Sequence, residues 1–391
     1  MMSLLPTGVA RIGVILSVGM WLIGCTEAPA PSSLQQTLGG DPDPGFARAV
    51  AVKPMVFPRD HGAHPDYQTE WWYFTGHLRS GEGPTARNFG YQLTFFRQAL
   101  VPIGQASEAA SEGATVEEHS QSWAASELFL AHFAISDLDR KRFYQAQRLT
   151  RASAGQGEAA EGQMAVRVED WQLTWIDSQI ALTAKDSHHG LRLTLNPVSG
   201  IVLQGDEGLS AKGAGLGNAS YYYSIPELES AGTLQVGNET LAVRGDSWLD
   251  REWSTSVLEP GQAGWDWFSL NLQDGRYLML FQLRDAAGNP DQFSAGTLVD
   301  GDQVTKLKAS NFTLAGDQPW RSPHSGARYP LRWQITLPGQ ELALTVTPLM
   351  QDQEINQTFR YWEGAVAAHG QWRGDAVQGR GYLEMTGYDK R

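Results

Sequence analysis

Residues 60–78, DHGAHPDYQTEWWYFTGHL, set Asp60, His61, His64, Asp66, Glu70 and His77 among closely spaced aromatic side chains. Three chemistries are open to such a stretch: a metal site, an acid–base cluster, or the wall of a pocket for a greasy molecule. Strand alternation sorts it into two faces, with Trp71, Tyr73, Thr75 and His77 on one and Glu70, Trp72, Phe74 and Gly76 on the other. Each face carries ionisable groups beside large aromatics, which are either packed core or cavity wall. The metal reading would use Asp60, His61, His64 and Asp66. These lie in a proline-containing loop without the paired helical spacing of zinc motifs, and a polar lead into the first strand explains them equally well. No metal is expected.

A second dense region is RGDSWLDREWSTS (244–256), followed by GWDWFSLNL (264–272). Trp248, Asp250 and Glu252 share one side of the first segment, and Leu249, Arg251 and Trp253 share the other. In the second, Asp266 aligns with Phe268, Leu270 and Leu272. A carboxyl group buried on such a face is raised by desolvation and could donate a proton, so Asp266 and Glu252 are the candidate acids. The plainer reading pairs Asp266 with Arg251 or gives it to a turn. His132, in FLAHFAISD, shares a face with Leu128 and Leu130 and reads more readily as a hydrogen-bonded core residue than as a base.

These groups need a scaffold of short strands. Aromatic-rich alternating segments recur at 67–79, 89–99, 126–137, 165–176, 191–196, 220–225, 241–248, 265–272 and 276–284. Others follow at 292–299, 331–337, 341–347, 359–367 and 379–387. Gly237-Asn238, Asp274-Gly275 and Asp300-Gly301 supply hairpin turns. The 391 residues, with 42 glycines and 14 tryptophans and no helical blocks, fit antiparallel sandwiches or barrels in two domains. The division is placed at 55–235 and 236–391. The segments 104–120, 152–163 and 205–218 read as functionless surface loops.

The balance of 30 Lys and Arg against 43 Asp and Glu gives a charge of −13, which repels phosphate backbones; no nucleic-acid partner is expected. No Gly-x-Ser-x-Gly elbow supports a serine hydrolase, and no glycine-rich phosphate loop calls for a nucleotide; no cofactor is expected. Residues 1–25 read as an export signal: Arg11, the apolar run IGVILSVGMWLIG, then LIGC, a lipobox ending at Cys25. Cys25, the only cysteine, is expected to be lipidated, with residues 26–54 a flexible tether. Thr26 after the cysteine favours the outer membrane of the bacterial cell envelope, on its periplasmic face, and several acyl chains would anchor the chain firmly.

Taken together, the 60–78 stretch, YQLTFF, LAHFAISD, YYSIP, GDSWLDREWSTS, GWDWFSLNL, YWEGAV and GRGYLEMTGY resemble the secreted AttH-like proteins of the carotenoid 1,2-hydratase superfamily. The resemblance runs from about residue 55 to 388. It implies an all-β chain of two tandem lipocalin-like antiparallel β-barrel domains with a ligand site near their junction. An envelope ABC-transporter permease is implied as a possible partner. The superfamily includes enzymes that hydrate isolated double bonds of carotenoids and fungal phenolics, and relatives that guide cyclisations. A His-x-Trp pair implicated in carotenoid hydratases falls here on Arg251 and Trp253, where only the tryptophan matches. The Asp that follows a Tyr by two residues in those enzymes has no counterpart after Tyr277, where Leu278 and Met279 stand.

The expectation is therefore a lipid-anchored envelope lipoprotein that binds a lipophilic small molecule in its barrels. Trp71, Tyr73, Trp253 and Trp267 would supply surface, Glu70, Arg251 and Asp266 would orient a polar end, and His77 and His132 complete the ligand-facing set. The alternative is a hydratase or isomerase of an isoprenoid or polyketide-like substrate, with Asp266 or Glu252 as acid. A third reading is a structural transporter subunit with solid barrels.

Overall fold

In the computed structural model, residues 45–102, 126–152, 155–255, 258–273 and 275–388 are described. Cys25, the export signal and the 104–120 segment lie outside them. The chain is all-β, in two antiparallel sheets. The first runs through β1 (Thr69–Ser80), β2 (Arg87–Ala99), β3 (Glu127–Asp137), β4 (Arg142–Arg151), β5 (Gly157–Ala159), β6 (Ala165–Val168), β7 (Trp171–Ile176), β8 (Gln179–Lys185) and β9 (His189–Pro197). Two short strands, β10 (Val202–Leu203) and β11 (Leu209–Ala211), precede the long hairpin of β12 (Ala219–Val236) and β13 (Glu239–Ser254). Spatial order is β4-β3-β2-β1-β13-β12-β9-β8-β7-β6-β5, so the first strand pairs with the last and the sheet curls into a nearly closed barrel. At the seam Gly157 approaches Phe129 and Thr150 so closely that a Cβ there would lie 2.7 Å from the Phe129 ring.

The second sheet comprises β14 (Gln262–Leu272), β15 (Tyr277–Asp285), β16 (Ala295–Asp300), β17 (Gln303–Lys308), β18 (Thr313–Arg321), β19 (Arg328–Leu337), β20 (Leu342–Pro348), β21 (Glu354–Asn356), β22 (Arg360–Trp372) and β23 (Asp375–Thr386). Its order, β17-β16-β15-β14-β23-β22-β20-β19-β18, makes a half-barrel. The three expected hairpin turns lie where the sequence puts them, with Gly237, Gly275 and Gly301 all at positive φ.

Several boundaries differ from the sequence reading. The change of sheet falls between Ser254 and Gln262, not at 235/236, because β13 pairs along its length with both β1 and β12. Packing begins before residue 55: Phe46 and Ala49 are buried, and the Ala47 N–H donates to the Asp66 carbonyl at 2.9 Å. The supposed loops 152–163 and 205–218 contain β5 and β11. Strands β4, β17 and β18 escape the alternation signal because they end their sheets, where little of either face is covered.

Alternation then decides what faces what. Trp72, Phe74, Leu249 and Trp253 point into the first barrel and join Phe95, Phe133, Trp171 and Tyr223 in one core. Phe268, Leu270 and Leu272 enter the second core with Trp333, Trp362 and Leu383. The opposite faces of β1, β12, β13, β14 and β23 meet one another, burying Tyr73, Tyr222, Trp248, Trp267 and Tyr382 between the sheets.

Candidate functional site

A cavity opens where those faces meet. Its volume is about 90 Å³. The first sheet contributes Trp71 and Tyr73 from β1, Thr94 and Phe96 from β2, Tyr222 from β12, and Asp250, Glu252 and Ser254 from β13. The second contributes Trp265 and Trp267 from β14, Phe281 and Leu283 from β15, Tyr361 and Glu363 from β22, and Glu384 from β23. Lys212 completes the lining. The wall is mostly aromatic, yet it holds four carboxyl groups.

Asp250 is the best-supported of the four. It accepts hydrogen bonds from Tyr222 Oη at 2.5 Å, Ser224 Oγ at 2.5 Å and Trp248 Nε1 at 2.7 Å, and Trp267 Nε1 donates to Tyr222 Oη at 3.2 Å. Burial outweighs these donors and, with Glu252 nearby, pushes Asp250 up to about 7. Glu252 takes a hydrogen bond from Ser220 and lies 3.2 Å from Lys212 Nζ. The Lys212 ammonium also sits 4.0 Å from the centre of the Phe281 ring.

Across the cavity, Glu363 and Glu384 are direct partners on adjacent strands. Glu363 is 1% exposed, and neither of its carboxyl oxygens has a hydrogen bond of good geometry. Burial raises both groups well above the usual carboxylate range; the neighbouring Glu384 raises Glu363 further, and Asp250 and Glu252 raise Glu384. The Tyr73 and Tyr361 hydroxyls face Glu363 and oppose its shift, and Trp265 does the same for Glu384. Glu384 keeps accessible surface.

Of the residues singled out from sequence, Trp71, Tyr73, Trp267 and Glu252 line the cavity. The others are placed elsewhere. Glu70 and Arg251 form a fully buried ion pair inside the first barrel, joined by Arg97 Nη1 at 3.1 Å from Glu70. Burial alone would raise Glu70, but Arg251, His64 and Arg97 together hold it at about 2. Arg251 also donates to the Gly62 carbonyl at 2.6 Å and lies 3.9 Å from the Trp72 ring centre, tying the entry loop to the barrel. Trp253 stacks on His64 at 3.8 Å within the same core, and His61 bonds Tyr223 Oη at 2.6 Å. Asp266 points into the second barrel, where Arg284 Nε donates at 2.6 Å and Tyr388 Oη at 2.9 Å. It is therefore an ion-paired core group, with Arg284 and not Arg251 as its partner, and is not an acid of this cavity.

His77 and His132 lie between the sheets without lining the cavity. His77 Nε2 is 2.9 Å from the Gly381 carbonyl, and burial lowers it to about 4. His132 Nδ1 is 2.8 Å from Tyr361 Oη, and burial lowers it to about 3, so the ring is neutral. Sequence reasoning passed over Glu363, Glu384, Tyr361, Trp265 and Lys212. A signal existed in YWEGAV and GYLEMTGY: each puts a glutamate two residues after a tyrosine on an otherwise apolar alternating strand.

Fold and site thus define an all-β protein of two apposed lipocalin-like barrels with an acid-bearing aromatic cavity between them. The chain belongs to the AttH-like family, within the carotenoid 1,2-hydratase superfamily; that family's profile matches residues 48–388. An AttH protein from Nitrosomonas europaea is 33% identical, with a TM-score of 0.75, over 88% of this chain and 100% of its own. Kievitone hydratase from Nectria haematococca shares the fold at 16% identity and a TM-score of 0.64, over 85% of this chain and 93% of its own. No curated protein matches this chain in sequence.

Proposed function

We propose that the protein is an acid-catalysed hydratase or isomerase of an apolar small molecule held in the inter-sheet cavity. The observation that carries this reading is the Glu363–Glu384 pair: two shielded, proton-retaining carboxyl groups on a mainly aromatic wall. Protonating an unactivated carbon–carbon double bond needs an acid still protonated near neutral pH and a shielded place for the resulting cation. Aromatic faces such as Trp71, Trp265 and Phe281 stabilise that cation.

In the step as proposed, one carboxyl of the pair gives its proton to an alkene carbon, and the neighbouring carbon becomes cationic. Water then adds there and returns a proton to the carboxylate, for a net gain of H2O. Loss of a different proton, from another carbon next to the cation, to the carboxylate would instead restore the acid and give an isomer. Glu384, with its accessible surface, is the donor in this scheme, while Glu363 and Asp250 hold the local field. Kievitone hydratase shares this architecture.

Cell-envelope anchoring through Cys25 is proposed with it on the strength of the LIGC lipobox; an intact mass increased by acyl chains at Cys25 is the expected finding. A transporter permease as partner is supported by the family resemblance alone. The test of catalysis starts from the compound that co-purifies with the full chain from its host without detergent. Incubated in D2O, that compound should gain carbon-bound deuterium with the wild type. Uptake that persists undiminished with Glu384→Gln and Glu363→Gln would remove the acid pair from the chemistry.

A further inference from the structure

The four carboxyl groups are more than one proton-transfer step requires. Asp250 and Glu252 stand on the β13 wall, and Glu363 and Glu384 on the β22–β23 wall opposite, close enough that Asp250 and Glu252 both act on Glu384. Among the described residues lining the cavity Lys212 is the only cation, and it is engaged with Glu252. Nothing comparable serves the opposite pair. Glu363, 1% exposed, faces the cavity beside the Tyr73 and Tyr361 hydroxyls, yet neither of its oxygens, nor the Tyr73 hydroxyl, has a hydrogen bond of good geometry. A buried polar group without a well-placed partner costs about 1–3 kcal/mol, which a donor group on a ligand would recover.

The kind of group is set by its surroundings. A ligand carboxylate would meet four acids. A hydroxyl could satisfy one oxygen but brings no charge that would favour ionising the pair. A protonated amine offers N–H donors to Glu363 and a positive charge to the pair, while its apolar substituents lie on Trp71, Trp265 and Trp267. Lys212 shows the same mode within this cavity, its ammonium held between Glu252 and the faces of Phe281 at 4.0 Å and Tyr222 at 5.2 Å.

We propose that the cavity is selective for lipophilic cations: it takes an apolar molecule bearing one protonated amine, seated against Glu363 and Glu384, and rejects the matching carboxylate. This rests on the cavity being the ligand site, as in the function above, but not on turnover; an amine there occupies the place of the cationic intermediate. Binding should also release protons. A cation beside the pair favours the charged carboxylates, against the burial and the neighbouring carboxyl groups that now keep them protonated. The other groups facing the pair are Asp250, Glu252, Tyr73 and Tyr361. Behind them, His132 is neutral and Tyr222 is raised well above its usual range, which leaves the carboxyl groups as the proton source.

The experiment compares N,N-dimethyldodecylamine, dodecanol and dodecanoate below their micellar concentrations, on the full chain carrying Cys25→Ser so that no acyl chain competes. Calorimetry in buffers of different ionisation enthalpy reads affinity and protons together. The amine should bind at least about tenfold more tightly than the alcohol at mildly alkaline pH. Dodecanoate should bind more weakly than either, and amine binding should release about one proton. Glu363→Gln, with folding checked by its thermal transition, should erase most of the preference. Equal affinities for the three probes, no proton release by the wild type, or an unchanged preference in Glu363→Gln would each overturn the proposal. Deuterium uptake without amine preference would sink this inference and spare the enzymatic reading; amine preference without uptake would do the reverse.

Discussion

At Glu363 and Glu384 the folded protein holds protons that ordinary carboxyl groups release near pH 4, and this has a consequence for stability with a definite sign. Burial and neighbouring carboxyl groups raise both groups in the folded state relative to the unfolded chain. Their contribution is fully present below the unfolded value and is lost as pH climbs through the folded one. Asp250, pushed up to about 7, acts in the same direction. The wild type should therefore lose stability steadily from about pH 5 into the mildly alkaline range. Glu363→Gln and Glu384→Gln should flatten that loss, so that each variant melts above the wild type at alkaline pH and close to it at pH 5. Thermal melts across the range check this, and variants that parallel the wild-type curve would show that neither group keeps its proton. For catalysis, Glu384→Gln should abolish deuterium uptake while leaving affinity for the uncharged probe dodecanol within about threefold, because the amide keeps the side chain's shape.

At the scale of the strands, β1 and β13 divide their side chains between two jobs. Their outward residues Trp71, Tyr73, Asp250 and Glu252 build the cavity, while Glu70 and Arg251 on the inward faces fasten the strands and the 60–66 loop together. Replacing Arg251 with Met should destabilise the protein by about 3–5 kcal/mol, since it leaves Glu70 buried with its main partner removed. Ligand affinity of the folded fraction should stay within about twofold, because Arg251 does not reach the cavity. The Glu70 contribution has the opposite pH sign to that of the acid pair. Glu70 is held at about 2, so its stabilisation is present above the unfolded value and is lost as acid brings the pH down through 2. Chemical denaturation of wild type and Arg251→Met at pH 7 and pH 3 separates the two effects: the gap between them should shrink in acid.

These strands also show what sequence can reveal. Alternation alone assigns the faces of Trp71, Asp250 and Asp266, because a two-residue period is local. It cannot tell which face meets a core and which a cavity, and so it placed Glu70, Arg251 and Trp253 in the binding set. Nor does it reveal that Glu363 and Glu384 are neighbours, since only the β22–β23 register sets them side by side, or that Asp250 faces them from β13. Lys212 was lost for another reason: a polar, glycine-rich segment reads as a loop, although its backbone is tied to Asn218 and Gln262.

For the molecule as a whole, the cavity exists only while the two sheets stay apposed, and the contact between them is close and polar as well as apolar. Ser136 Oγ donates to Gln353 Oε1 at 2.6 Å, Thr297 Oγ1 to Gln204 Oε1 at 2.6 Å, and Asn271 Nδ2 to the Pro226 carbonyl at 3.1 Å. Gly90 on β2 marks a close approach: a Cβ there would lie 2.5 Å from Tyr382 Oη and 2.8 Å from Ala365 Cβ, both on the other sheet. Such an interface couples the barrels, so the wild type should unfold in one transition. Gly90→Val forces the sheets apart at that point, and overpacking of this kind costs about 1–3 kcal/mol. Unlike Arg251→Met, it should also weaken ligand binding by about tenfold or more and shift tryptophan emission to the red, because Trp71, Trp265 and Trp267 all line the gap that opens. Calorimetry of the variant should show the single transition broadening or splitting as the barrels lose their coupling. If Gly90→Val lost stability but kept full affinity and an unshifted emission, the cavity would owe nothing to the apposition of the sheets. The ligand would then have to be sought within one barrel.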